Sequence, residues 1–424
     1  MATQRLSESG RAHIVKTVRR VIVSAWFLFA SVGIAQNLPL SPASQTMSQQ
    51  ETQRSSLERA LNSERQAGKA AEDPSIQRLE DELMQALEDE ETAKELHGAT
   101  KGPSQYLQTP VLYATNRKRV GSILSSDPRP ENSVELGIVN VTIATRYGVR
   151  TDYLPGAQLV SKASSAGISG TSSFDTVGQF QSTLKAEALK GRSARKILLF
   201  VHGFNTSFEG ALERTALIAT ELQSPVVPIT YSWPSAGSAM QYAHDEDMVR
   251  ASTEAFGAFL KQLLSNSPVE VVIICHSMGA REVTSVLSDL AKEGFDTNKL
   301  SRVVFVAADI FTSEFQSKWP VLSSLKKISY AFYASDSDWP LKVSFFKHDA
   351  DRLGYANSKL WPPPGATTVN ASNVDSILDT FGHSYIENPQ LGADIGNWIT
   401  TGADPVQRGL LRHATPNGTV YYFP

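Results

Sequence analysis

An α/β fold built on a doubly wound, mostly parallel sheet is predicted by three observations. Short apolar runs of strand length alternate with amphipathic runs of helix length from residue 197 to residue 399. The run Val271-Val272-Ile273-Ile274 is apolar at every position, as suits a strand covered on both faces by helices. It ends in Cys275-His276-Ser277-Met278-Gly279-Ala280, where small residues permit a tight turn into a helix carrying Thr284, Val286, Leu287 and Leu290.

Length and composition fit a large globular domain with appendages: 424 residues, 40 Lys and Arg against 43 Asp and Glu, net charge −3. That mild acidity gives no electrostatic ground for binding nucleic acid or an anionic membrane. Arg5, Arg11, Lys16, Arg19 and Arg20 precede the apolar run Val21 to Ala30 and the small-residue stretch around Ala35, the pattern of an export signal. The expectation is a signal peptide over 1–35 and a periplasmic or secreted protein; an uncleaved inner-membrane anchor is the alternative. With Cys275 as the one cysteine, no disulfide can form within the chain, so stability must come from the core.

Residues 36–56, rich in Ser, Gln, Pro and Thr, read as a linker. A charged helical segment follows over 57–100, with Leu79, Leu83 and Leu87 at helical spacing among acidic residues. It is expected to be a solvated arm or short coiled coil, a possible surface for a partner or for self-association over 57–96.

The main globular domain is expected over 110–402, with a tail over 403–424. Val111–Thr115 and Gly137–Ile143 read as strands at an antiparallel N-terminal edge, and the Gly/Ser-rich stretch 156–178 as a long loop. Then come strand 197–201, helix 208–222, strand 226–231, a long helix including 252–264, the elbow strand and its helix, strand 303–306, helix 313–325, strand 328–333, a weak strand at 367–369, and a last helix over 391–399.

In such sheets ligands lie beyond the carboxyl ends of the strands, so those ends decide function. Ser277 stands in C-H-S-M-G, one residue from the G-x-S-x-G pattern of a nucleophile elbow, with Cys275 as the small residue in place of the first glycine. A serine before a helix can also be an ordinary cap. Upstream, His202-Gly203-Phe204-Asn205 ends a strand where an acyl-transfer site needs an amide aimed at the oxyanion; Phe204 and Met278 are the expected donors. Downstream, the acid is expected at Asp338, then Asp336, with Asp309 a topological outsider. His383, in Gly382-His383-Ser384 before the last helix, falls where the general base belongs. His202, Asn205, Trp233 and Trp339 stand at strand ends and are candidate pocket residues. No H-E-x-x-H, C-x-x-C or phosphate-binding glycine loop is present, so no metal or cofactor is expected.

Taken together, Phe200-Val201-His202-Gly203-Phe204-Asn205, Tyr231-Ser232-Trp233-Pro234-Ser235-Ala236-Gly237, Tyr242 with Asp245, His276-Ser277-Met278-Gly279-Ala280-Arg281, Tyr333-Ala334-Ser335 with Asp338 and Leu341, Arg352-Leu353-Gly354 and Gly382-His383-Ser384-Tyr385 resemble a bacterial family of α/β hydrolases of unknown function within the esterase/lipase superfamily. The resemblance spans about 111–399. It implies the α/β hydrolase fold and a triad of Ser277, Asp338 and His383, and it implies no substrate. The expected activity is serine hydrolysis of a carboxylic ester, small or soluble because no long apolar insertion resembles a lid. An acyltransferase or peptidase with the same triad, and a non-catalytic envelope interaction protein, are the alternatives.

Overall fold

The computed structural model describes residues 104–424 except 151–158, 192–194, 239–240, 326, 339–340, 342–349 and 375–387, together with scattered residues between 53 and 86. The expected leader and most of the expected linker lie outside the described residues, as do Trp339 and His383. Two units divide the chain, Met1–His97 and Gly98–Pro424. In the first, Ser75, Arg78, Leu79, Glu82, Leu83 and Ala86 are helical, in keeping with the leucine spacing, and Arg78 pairs with Glu82 one turn on at 2.8 Å. No helix among the described residues is long and apolar enough to cross a membrane.

The second unit carries an eleven-stranded sheet. Its strands are β1 (Ser104–Thr115), β4 (Glu135–Arg150), β5 (Leu159–Ser173), β6 (Lys196–Val201), β7 (Val226–Ser232), β8 (Val271–His276), β9 (Leu300–Val306), β10 (Ser329–Ala334), β11 (Thr367–Asn370), β12 (Leu411–Thr415) and β13 (Gly418–Tyr422), while β2 (Arg117–Val120) and β3 (Ile123–Pro128) form a separate hairpin. The order β12-β13-β11-β10-β9-β8-β6-β7-β1-β4-β5 is parallel from β13 to β1. Antiparallel pairs close both edges, β1–β4–β5 on one side and β12–β13 on the other.

Helices α1 (Val177–Ala188), α2 (Phe208–Glu221), α3 (Tyr242–Ala251), α4 (Thr253–Asn266), α5 (Gly279–Lys292), α6 (Thr312–Leu322) and α7 (Pro389–Thr401) connect the strands. The uninterrupted apolar run of β8 has its explanation here. Ile273 joins Leu199, Val303 and Phe305 in the cluster on one face, while Val272 and Ile274 join Leu198, Phe200 and Val304 on the other. Each such side chain, taken fully out of water, contributes about 1.5–3 kcal/mol.

Three sequence expectations change. Residues 159–173 are not loop: they form β5, paired along β4 with three register shifts. Backbone pairing at a sheet edge needs no apolar alternation, so Ser and Gly concealed it. The long helix expected around 252–264 is two helices that meet at Ser252, whose hydroxyl donates to the Met248 carbonyl and accepts from Asn116 Nδ2. Residues 403–424, read as a tail, carry β12 and β13, and β13 pairs with β11 through Val369–Tyr421 and Asn370–Tyr422.

Candidate active site

Because seven neighbouring strands run parallel from β11 to β1, their carboxyl ends share one edge, and β8 delivers Ser277 there. Ser277 has φ +51°, a left-handed conformation that costs a side-chain-bearing residue roughly 1–3 kcal/mol and is kept where surrounding contacts enforce it. Those contacts are backbone hydrogen bonds: Ser277 N–H donates to the Val306 carbonyl, and its own carbonyl accepts from Ala280 and Asp309. Gly279, opening α5, lies against β6. A Cβ there would stand 2.8 Å from the Val201 carbonyl oxygen and closer still to that of His202. Cys275 is fully buried in the apolar cluster beneath, its thiol donating to the Val304 carbonyl at 3.5 Å and pushed well up in pKa by burial. A neutral, enclosed thiol is no nucleophile.

Gly203 brings the loop after β6 against the serine: a Cβ on it would lie 2.7 Å from Ser277 Cβ and 3.2 Å from the His276 carbonyl oxygen. Phe204 and Asn205 follow, half-buried, with Asn205 at φ +51°. Among the described residues neither the Phe204 nor the Met278 amide donates a hydrogen bond.

The three carboxylates differ in setting. Asp338, beyond β10, is fully buried and accepts the Leu341 amide on Oδ1 at 3.0 Å. Asp336 is exposed. Asp309 is buried beneath donors: Tyr242 Oη at 2.6 Å and Arg281 Nη2 at 3.0 Å meet Oδ2, and Arg352 Nε lies 3.3 Å from Oδ1. With both oxygens engaged, Asp309 holds α3, α5 and the Arg352 loop together. Arg281 extends this brace to Glu246 and to the Asp309 carbonyl.

Two expected pocket residues stand elsewhere. Trp233 has no exposed surface; its indole stacks on the His202 ring at 4.9 Å, and its Nε1–H donates to the His202 carbonyl. His202 is equally buried, and burial, reinforced by the charge of Arg117, lowers its pKa to about 3. Both are internal supports of the loop rather than pocket walls. Asn205 remains at the loop surface.

Sequence reasoning assigned no role to Arg117 or Asp245. Arg117 is 2 % exposed. Asp245, wholly buried, accepts from the Asn205 amide at 3.0 Å, the Ala236 amide at 2.7 Å and Ser235 Oγ at 2.6 Å. Burial raises its carboxyl pKa, with those hydrogen bonds opposing the shift. In the sequence, Arg117 sits in Asn116-Arg117-Lys118-Arg119, which reads as a solvated basic run. Among the described residues no three His, Cys, Asp or Glu side chains cluster as a metal site requires.

A parallel sheet flanked by helices, with a left-handed serine between the fifth helix and the strand before it, defines an α/β hydrolase. Residues 178–392 match the family described as "Alpha/beta hydrolase of unknown function (DUF900)", more than half of the chain. The chain belongs to that family. An uncharacterised protein of Nostoc sp., alr1448, is 25% identical over 29% of this chain and 39% of its own length, so the match spans about two fifths of that relative. Solved structures that align include an esterase from Rhizomucor miehei (TM-score 0.31, 10% identity, 87% of this chain and 97% of that one) and the ester hydrolase EH1AB1 from the metagenome of Lake Arreo (TM-score 0.33, 10% identity, 86% and 100%). The fold assignment rests on the family match and the sheet topology.

Proposed function

We propose that this protein is a serine hydrolase that cleaves carboxylic esters through an acyl-enzyme. Ser277 Oγ attacks the ester carbonyl, His383 takes the serine proton and returns it to the leaving alcohol, and Asp338 holds the imidazole tautomer and balances its positive charge. Phe204 and Met278 amides receive the developing oxyanion. Water, activated by His383, then attacks the acyl-enzyme and releases the acid.

The observation that carries this reading is the strained backbone of Ser277 at the strand-to-helix turn, with Gly203 packed against its Cβ. A capping serine needs no left-handed φ, since caps adopt extended backbone. Asp338 is favoured over Asp309 as the acid because Asp309 has both oxygens committed to the Tyr242, Arg281 and Arg352 brace.

A fluorophosphonate probe tests the reading. Labelling of the wild type and of Ser301→Ala, lost in Ser277→Ala, is the expected result. Folded wild-type protein that takes no label overturns it. Asp338→Asn is expected to lower kcat by about 10⁴-fold, as for a triad whose base is left in the wrong tautomer, and Asp309→Asn by far less.

A further inference from the structure

A guanidinium taken wholly out of water is costly unless every donor finds an acceptor. Each of the three Arg117 nitrogens finds an acceptor, on the end of β7 and on the loops after β6 and β7. Nε–H donates to Ser232 Oγ at 2.9 Å, Nη1 to the Ser235 carbonyl at 2.8 Å and Nη2 to the Thr206 carbonyl at 2.7 Å. Thr206 belongs to the loop after β6 and Ser235 to the loop after β7. The acceptors are therefore two backbone carbonyls and a hydroxyl, all standing at the carboxyl edge of the sheet.

The chain of contacts continues inward, and its polarity is forced. His202 Nδ1 lies 2.7 Å from the Gly203 carbonyl oxygen, which can only accept, so Nδ1 carries the hydrogen. In the neutral ring that burial imposes, Nε2 is then an acceptor, 3.2 Å from Ser232 Oγ. Ser232 must donate to it and accept from Arg117, whose Nε–H can only donate. Every hydrogen from Arg117 to Gly203 thus has one allowed position.

The end of this chain is a peptide group. In a trans peptide the C=O and the following N–H point in opposite directions, so fixing the Gly203 carbonyl fixes the Phe204 amide. Among the described residues no peptide bond is cis. We infer that Arg117 is a positioning residue for the oxyanion donor: through Ser232 and His202 it clamps the Gly203 carbonyl, and so aims the Phe204 N–H at the carbonyl oxygen of the substrate. Asp245 completes the clamp from the other side, holding the Asn205 and Ala236 amides and the Ser235 hydroxyl, which in turn accepts the Thr206 amide at 2.9 Å. On the loop between β6 and α2, the cation thus holds the Thr206 carbonyl and the anion the Asn205 amide, and each ties that loop to the one after β7. This inference rests on the proposed serine hydrolase reading.

The test compares wild type, Arg117→Met, Arg117→Lys, His202→Leu and His202→Asn. Hydrolysis of p-nitrophenyl acetate is normalised to active sites titrated with the fluorophosphonate, so that unfolded protein does not count. Arg117→Met and His202→Leu are expected to lose about 10- to 100-fold in kcat, with KM within twofold of wild type, because an oxyanion contact forms in the transition state. Arg117→Lys, which keeps the charge but not the three-way geometry, falls between. His202→Asn restores a donor for the Gly203 carbonyl and is expected to be at least tenfold faster than His202→Leu. If Arg117→Met does not fold, Ser232→Ala cuts the same chain and carries the same expectation.

Unchanged kcat per active site in the Arg117 and His202 variants overturns the inference while leaving the hydrolase reading standing. Equal losses in His202→Asn and His202→Leu also overturn it. A folded wild type that neither labels nor turns over removes the hydrolase reading itself, and the inference with it.

Discussion

Gly203→Ala isolates the contact on which the site depends. Gly203 has an ordinary φ, so alanine there carries no conformational penalty, and the effect is purely one of space. The new Cβ would lie 2.7 Å from Ser277 Cβ, 3.1 Å from His276 Nδ1 and 3.2 Å from the His276 carbonyl oxygen. Carbon atoms in contact settle at about 3.5–4.0 Å, so the two segments must separate by roughly 0.8 Å or more. Neither can yield by rotating a side chain: Ser277 Cβ and the His276 carbonyl are fixed to β8, and the loop is pinned by Arg117 and Asp245. Overpacking of this kind costs about 1–3 kcal/mol. On the proposed hydrolase reading, a displacement near 1 Å between Ser277 and the Phe204 amide costs about 100-fold in rate. Urea unfolding and kcat per titrated active site measure the two effects separately. A variant with the wild-type urea midpoint and turnover within threefold of wild type would refute the packing of this loop on the elbow, and with it the placement of Phe204 beside Ser277.

Two further predictions concern stability. Glu282, on the helix that follows the elbow, is 1 % exposed, and among the described residues neither carboxylate oxygen has a hydrogen bond. Burial raises its pKa well above 4.5, with the Tyr231 hydroxyl, likewise buried, as its electrostatic neighbour. The folded state therefore holds a proton that the unfolded chain releases above about pH 4.5, so this group's stabilisation is complete below that pH and is lost as pH rises towards the folded-state value. Glu282→Gln is expected to remove a slope of up to about 1.4 kcal/mol per pH unit from wild-type unfolding free energy measured from pH 5 upward; identical pH dependence in the two proteins counts against it. Arg408, in the C-terminal segment, pairs with buried Asp394 at 2.5 Å, and Asp394 also accepts the Tyr333 hydroxyl. Arg408→Met is expected to cost about 3–5 kcal/mol in urea unfolding by stranding that carboxylate, and Arg408→Met/Asp394→Asn to recover most of it.

How far the sequence reached can be judged element by element. The apolar run 271–274, the small residues after it and the alternating helix and strand lengths determined a parallel sheet and the elbow, because burial on both faces and a tight turn restrict residue type locally. The motif Phe200 to Asn205 was legible for the same reason, since a glycine facing the serine leaves no room for a side chain. Strand β5 was not legible, because pairing at a sheet edge is a backbone property that Ser and Gly neither require nor forbid. The C-terminal strands were missed because their partner, β11, lies about fifty residues away along the chain.

The site divides in the same way. Sequence by itself marked Ser277 at a turn between strand and helix and the Phe200-to-Asn205 segment at a strand end; the order Ser277, Asp338, His383 and the oxyanion role of that loop are part of the proposal. Only the tertiary structure decided that Asp309 is engaged by Tyr242, Arg281 and Arg352, and that His202 and Trp233 face inward. Arg117 is the plainest case. Within a basic run it is indistinguishable from its exposed neighbours, Lys118 and Arg119, because nothing local marks which of three successive charges turns inward. The acceptors that bury it, Thr206, Ser232 and Ser235, stand at the end of β7 and on the loops after β6 and β7, 89 to 118 residues further along, and the parallel crossings of the sheet bring them together.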